Sequence, residues 1–162
     1  MTTRADYSPE EWNVLGMAAL MIAMPVITVA EIDTVQITQE VAAMVQKIGE
    51  SIEEGSDNEL VNDLMMQMRE RLDSGERLSV KVDISDPAAL KMDVLDILTQ
   101  AATVLDNKTS AEEATGFKEW FMSIAQRVAE AVREGEMLEG TVNISPDEAA
   151  VMAEMRDVLK LS

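Results

Sequence analysis

From Trp12 to Ala30 the chain runs nineteen residues, "WNVLGMAALMIAMPVITVA", without a charged side chain. This happens in a protein whose residues are 27% charged. A segment apolar on every side has to be covered by lipid, by a partner or by the rest of the protein. Its length approaches the roughly 20 residues that cross a bilayer. The flanks argue against lipid. Asp6, Glu10 and Glu11 precede it, Glu31 and Asp33 follow it, and the nearest bases are Arg4 and Lys47, so no positive cluster orients it across a membrane. A secretory leader needs a basic N-terminal region, and this one is acidic. Asn13, Gly16, Pro25 and Thr28 dilute its hydrophobicity further. The expectation is a central core helix in a cytoplasmic protein with no membrane partner.

Helix starts are written along the rest of the chain. "SPEE" at Ser8–Glu11 and "SPDE" at Ser145–Glu148 each offer a Ser cap, Pro at the first helical position and Glu three residues after the cap. "SDNE" at Ser56–Glu59 and "SAEE" at Ser110–Glu113 read as capping boxes, "SDP" at Ser85–Pro87 as a fifth start and Thr38 as a sixth. Helical spacing follows: Phe117, Trp120, Phe121, Ile124, Val128 and Val132 share one face, with Lys118, Glu119, Arg127, Glu130 and Arg133 opposite. Six helices result, at about 9–31, 38–54, 57–74, 87–106, 110–134 and 146–160.

Two runs alternate instead. "VKVDI" at 80–84 and "TVNI" at 141–144 place apolar residues at every second position, which predicts two strands able to pair as a ribbon against the helices. "GERLSVKVDIS" from Gly75 recurs as "GEMLEGTVNIS" from Gly135, and "VAEIDTVQITQE" (29–40) is echoed by "TVLDNKTSAEE" (103–113). The fold expected is therefore mainly α: a duplicated six-helix bundle with a minor two-stranded β-ribbon. It forms a single domain over 1–162, with halves near 9–84 and 85–162.

Charge bounds the function. Thirty-one Asp and Glu oppose thirteen Lys and Arg, for a net −18. Nucleic-acid binding rests on neutralising phosphates, so no nucleic-acid partner is expected, whereas a basic protein or a divalent cation suits the surface. With no His and no Cys, a Ser–His–Asp triad, a zinc deaminase site, a Glu-x-x-His di-iron site and thiolate chemistry are excluded. No phosphate-cradling Gly loop is present, and the chain is expected not to be an enzyme.

Three groups remain as candidates. Met17, Met21 and Met24 share a helix face; thioethers suit copper(I), a Met-lined groove or, most simply, a core poor in aromatics. Trp12 is expected to pack near Trp120 and Phe121. Asp33 with Glu40, and Asp106 with Glu112, stand at matching places in the two halves beside helix starts. Together they would offer Ca²⁺ or Mg²⁺ an oxygen-rich site; the plainer reading is turn formation and helix-dipole complementation.

The stretch "VLDNKTSAEEATGFKEWFMSIAQRVAEAVREGEMLEGTVNIS" (104–145), with the N-terminal "PEEW", resembles a widespread group of small bacterial helical proteins of unassigned function. More remotely, each Asp loop followed by a capped helix resembles the tellurite-resistance B type, duplicated helical bundles with cation-binding loops of the form D-G-x-[VIL]-[ST]-x-E-E. Asp106 and Ser110–Glu113 match part of that pattern; Asn107 replaces the Gly, and Asp33–Glu40 follows it loosely. The first resemblance implies no function, and the reading of the residues themselves is a non-catalytic acidic adaptor that binds another, basic protein or forms a homodimer. The second implies a divalent-cation-binding stress-response protein.

Overall fold

The structure is a computed structural model that describes residues 3–29, 50, 58–75, 86–136 and 146–161, with backbone alone for 27–29, 72 and 127–136. After a 3₁₀ turn at Arg4–Asp6 come α1 (Pro9–Met21), α2 (Met24–Val29), α3 (Glu59–Asp73), α4 (Pro87–Lys108), α5 (Ala111–Glu136) and α6 (Pro146–Val158). The chain is mainly helical, as its periodicity predicts. The helix expected over 38–54 (apart from Glu50) and the strands expected at 80–84 and 141–144 fall outside the described residues. The duplication gains no support. The helices it would match differ in length, 15 residues in α3 against 26 in α5, and 22 in α4 against 13 in α6.

The apolar run is not one helix over 9–31. It breaks at Ile22 and Ala23. Pro25 has no N–H to give the Met21 carbonyl, and its ring clashes there, so α1 ends and α2 restarts with Pro25 in its first turn. Both pieces are covered by the protein itself. Trp12, Leu15, Ala18, Ala19, Met21, Ile22, Ala23, Met24 and Val26 are all buried. They pack chiefly on α4, and α2 also meets α5 and α6. Among the described residues no helix is long and apolar enough to cross a membrane.

Local chemistry sets the ends. The Ser8 hydroxyl accepts from the Glu11 N–H at 3.1 Å and the Glu11 carboxylate accepts from the Ser8 N–H at 2.8 Å; in α5 the Ser110 hydroxyl accepts from the Glu113 N–H at 3.3 Å and itself donates to the Glu113 carboxylate at 3.2 Å. The "SDP" start is capped by Asp86, which accepts from the Ala89 N–H at 3.1 Å. Asn58, not Ser56, caps α3, its Oδ1 accepting from Leu60 and Val61. The far end of α6 closes with Lys160 at φ 58. Leu161 donates to the Arg156 carbonyl and Lys160 to that of Asp157, a Schellman turn with lysine where glycine is usual.

Asn58 also joins α3 to α5, because its Nδ2 donates to the Glu113 carbonyl at 2.9 Å. Gly116 makes room for this, since a Cβ there would stand 3.0 Å from that same nitrogen. Asn58→Ala is expected to lower stability by about 1–2 kcal/mol, the range for losing a cap. Asn58→Asp keeps the cap oxygen and loses only the donor, so it should fall between wild type and Ala. Thermal melting of the three proteins checks the order.

Buried apolar residues form one cluster, with Phe117, Phe121, Leu15, Ile22, Leu98 and Met155 among its largest fully enclosed members. Its rings separate into two sets. Tyr7 meets Trp12 at 5.7 Å. Phe117, Trp120 and Phe121 meet one another at 5.0–5.8 Å. The expected neighbourhood of Trp12 and Trp120 is replaced by these two groups, because α3 rather than the Trp120 face of α5 supplies the partner of the Trp12 indole.

Candidate functional site

Of the four acids singled out for a cation, Asp33 and Glu40 lie outside the described residues. Asp106 belongs to the last turn of α4, which runs to Lys108, and not to a loop. Lys118 of α5 approaches its Oδ1 at 2.5 Å and Lys160 its Oδ2 at 3.4 Å. Partial burial pushes the Asp106 carboxyl up, but the hydrogen bonds and charges of Lys118 and Lys160 outweigh it and hold the carboxyl below its ordinary value. Lys118 is 4% exposed, so its ammonium depends on this carboxylate. Glu112 is exposed in the first turn of α5. Among the described residues no three acids are grouped to hold a metal.

A cation at Asp106 would have to displace two lysines. Millimolar Ca²⁺ or Mg²⁺ is therefore expected to raise the melting temperature no more than sodium chloride of equal ionic strength. A larger rise that disappears in Asp106→Asn would restore the cation site.

A second polar cluster ties the start of the chain to the α4–α5 corner. Lys108 donates to Glu11 at 2.6 Å and to the Asp6 carbonyl at 3.0 Å, and stands 5.7 Å from the Tyr7 ring centre. The Tyr7 hydroxyl pairs with that of Thr109. Burial pushes the Tyr7 hydroxyl above its ordinary value, against the Thr109 hydrogen bond, and the nearby Glu113, Asp6 and Glu11 push the same way.

Concave surface gathers on the other side of Trp12. Its indole N–H donates to the Gln67 side chain of α3. A groove of about 260 Å³ between α1 and α3 is lined by Trp12, Asn13, Gly16, Met17, Leu20, Leu64, Gln67, Met68 and Arg71. A separate hollow of about 320 Å³ is lined by Thr3–Ala5, Asp63, Met66, Gln67 and Glu70. Another, of about 450 Å³, is lined by Arg4, Ala5, Tyr7, Ser8, Pro9 and Trp12. The methionine stripe divides here. Met21 and Met24 are core, 6% and 5% exposed, whereas Met17 is 43% exposed and faces the groove.

Gln67 and Asn58 were not singled out from the sequence. A polar residue on an otherwise apolar helical face, as Gln67 is beside Leu64 and Met68, is the signal that could have pointed to it. No protein-family model, curated protein or solved structure matches this chain.

Proposed function

We propose that this protein is a non-catalytic acidic binding module whose partner is a protein presenting basic segments. The observation that carries this reading is how the charges are distributed. Six described bases are drawn into ion pairs within the molecule: Arg69–Asp73, Lys91–Glu154, Lys108–Glu11, Lys118–Asp106, Arg156–Glu119 and Lys160–Asp106. Glu10, Glu59, Glu70, Asp93, Asp96, Glu112, Asp147 and Asp157 stay exposed. The net −18 is thus directed outward, and such a field speeds and selects oppositely charged partners.

Catalysis finds little to use. The Ser8 and Ser110 hydroxyls, each beside a glutamate, serve as helix caps. Asp106, engaged by two lysines, favours the protein-binding reading over the divalent-cation one.

Calorimetric titration tests the proposal with a lysine-rich helical peptide and its glutamate-rich counterpart. The basic peptide should bind, with affinity falling as ionic strength rises; the acidic one should not. Equal behaviour of the two, or binding of neither, overturns the reading.

A further inference from the structure

We infer that Thr3–Asp6 is a strap that swings on Tyr7, opening and closing over the Trp12 ring while the helices stay folded, and that Lys108 is its latch. All four strap residues are exposed, and burial begins abruptly beyond them, with Tyr7 at 8% and Trp12 at 2% exposure. The strap is one closed turn. Asp6 donates to the Thr3 carbonyl and Tyr7 to that of Arg4, and the Thr3 N–H donates to the Asp6 carboxylate at 2.8 Å. It can therefore move as a single piece. The chain that follows it is extended at Tyr7 and Ser8. Tyr7 itself is pinned, its ring 5.7 Å from that of Trp12 and its hydroxyl paired with Thr109.

Little holds the strap down. Among the described residues two hydrogen bonds join it to the body: Lys108 donates to the Asp6 carbonyl at 3.0 Å, and the Arg4 N–H donates to the Asp63 carboxylate at 3.3 Å. Both lie at the surface. The Arg4 guanidinium stands over the Trp12 ring at 5.9 Å, and no strap side chain is buried. A segment with exposed hydrogen bonds and no buried apolar anchor opens at far lower free energy than a core helix. Room for the motion is present, because Arg4 and Ala5 line both the 450 Å³ and the 320 Å³ hollow. Trp12 lines the first of these and also the groove between α1 and α3, so lifting Arg4 enlarges the concave surface around one ring. Lys108 is the latch because it grips both sides of the pivot, the Asp6 carbonyl on the strap and the Glu11 carboxylate on α1, the latter at 2.6 Å. The device is set by this corner of the fold alone, whatever partner the acidic surface binds.

Amide hydrogen exchange by NMR and acrylamide quenching of Trp12 fluorescence test this on the full chain. The chain has two Trp, so Trp120→Phe serves as the parent and one indole reports. Lys108→Met should raise the open population roughly three- to tenfold, the scale of losing one hydrogen bond. Exchange at the Asp6 and Tyr7 amides should quicken by that factor, and Trp12 should be quenched more readily. Asp63→Ala, which removes the other strap contact and leaves Lys108 in place, should act in the same direction. Lys91→Met is the control. It removes an ion pair from the same helix, with a lysine of equal exposure, and should leave Trp12 and the strap amides unchanged. Exchange at Ile22, a buried residue whose N–H is bonded to the Ala18 carbonyl, should stay the same in all of them. Trp12 quenching that rises only where Ile22 exchange also quickens would overturn the strap, since the ring would then be reached by unfolding of the helices. Unchanged quenching in both Lys108→Met and Asp63→Ala would overturn it too. An equal response in Lys91→Met would overturn Lys108 as the latch.

Discussion

Phe117→Ala is expected to cost about 3–5 kcal/mol, the range for truncating a buried phenylalanine. The side chain is fully buried, and it packs edge-on against both Trp120 and Phe121, at 5.7 and 5.0 Å. The chain has only five aromatic residues, one Tyr, two Trp and two Phe, and two of them already flank this ring. Two ring contacts would be lost along with the burial, each worth about 0.5–1.5 kcal/mol beyond area. In a chain of this size each kcal/mol moves the melting point by about 2–4 °C, so the midpoint should fall by roughly 6–20 °C. Whole-domain stabilities are about 5–15 kcal/mol, so the loss is a large share of the total. Phe117→Leu, which keeps most of the volume, should recover more than half the loss. A drop under about 1 kcal/mol for alanine would mean that this ring does not fill the core as described. Urea melts of the three proteins decide it.

Asp106→Ala is expected to cost about 2–3 kcal/mol. Removing one partner of a buried ion pair costs about 3–5 kcal/mol, because the remaining charge is stranded. The figure is reduced here because the Asp106 side chain is 33% exposed, although that of Lys118 is only 5% exposed. Lys118→Met should behave differently. It removes the buried ammonium itself and keeps a similar volume, so the change should stay within about 1 kcal/mol. The double variant should then be more stable than Asp106→Ala alone, and chemical denaturation of all four proteins measures that coupling. Equal losses for the two single variants would refute the stranded-charge account.

The same carboxylate sets a pH dependence. Asp106 and Glu11 both titrate below their ordinary values of 3.8 and 4.5. For Asp106 partial burial works the other way and is outweighed by Lys118 and Lys160; for Glu11 the Lys108 hydrogen bond leads, followed by that of the Ser8 N–H. Below its ordinary pKa the unfolded form of each group binds more protons than the folded form, so stability rises with pH there. Their contribution is complete above pH 3.8 and 4.5 and is lost as pH falls through the lower folded values. The stability gap between wild type and Asp106→Ala should therefore hold constant above about pH 4 and close only below it.

What could be read along the chain is whatever depends on residues a few positions apart. Ser8 with Glu11, and Ser110 with Glu113, cap their helices as the motif dictates because donor and acceptor are three residues apart. The Trp12–Ala30 run had to lie mostly against the protein because nineteen uncharged residues offer little to water, and its described part does so save at Asn13 and Met17. Its break before Pro25 also follows from local covalent geometry, a consequence the apolar pattern masked. In "SDNE" and "SDP" more than one side chain could cap. The choice of Asn58 and Asp86 went to whichever lay beside the helix start, and for Asn58 that position also reaches Glu113, 55 residues away. The partners of Asp106, at 12 and 54 positions' distance, follow from the packing of α4 against α5 and α6. Spacing alone gave this acid the look of a cation ligand, since a carboxylate suits a metal and a lysine equally well. Met17 and Met21 share a helix face in sequence, yet one lines an open groove and the other fills the core. Only the path of α3 across α1 separates them, because a helical period specifies which residues face together and leaves open what stands opposite.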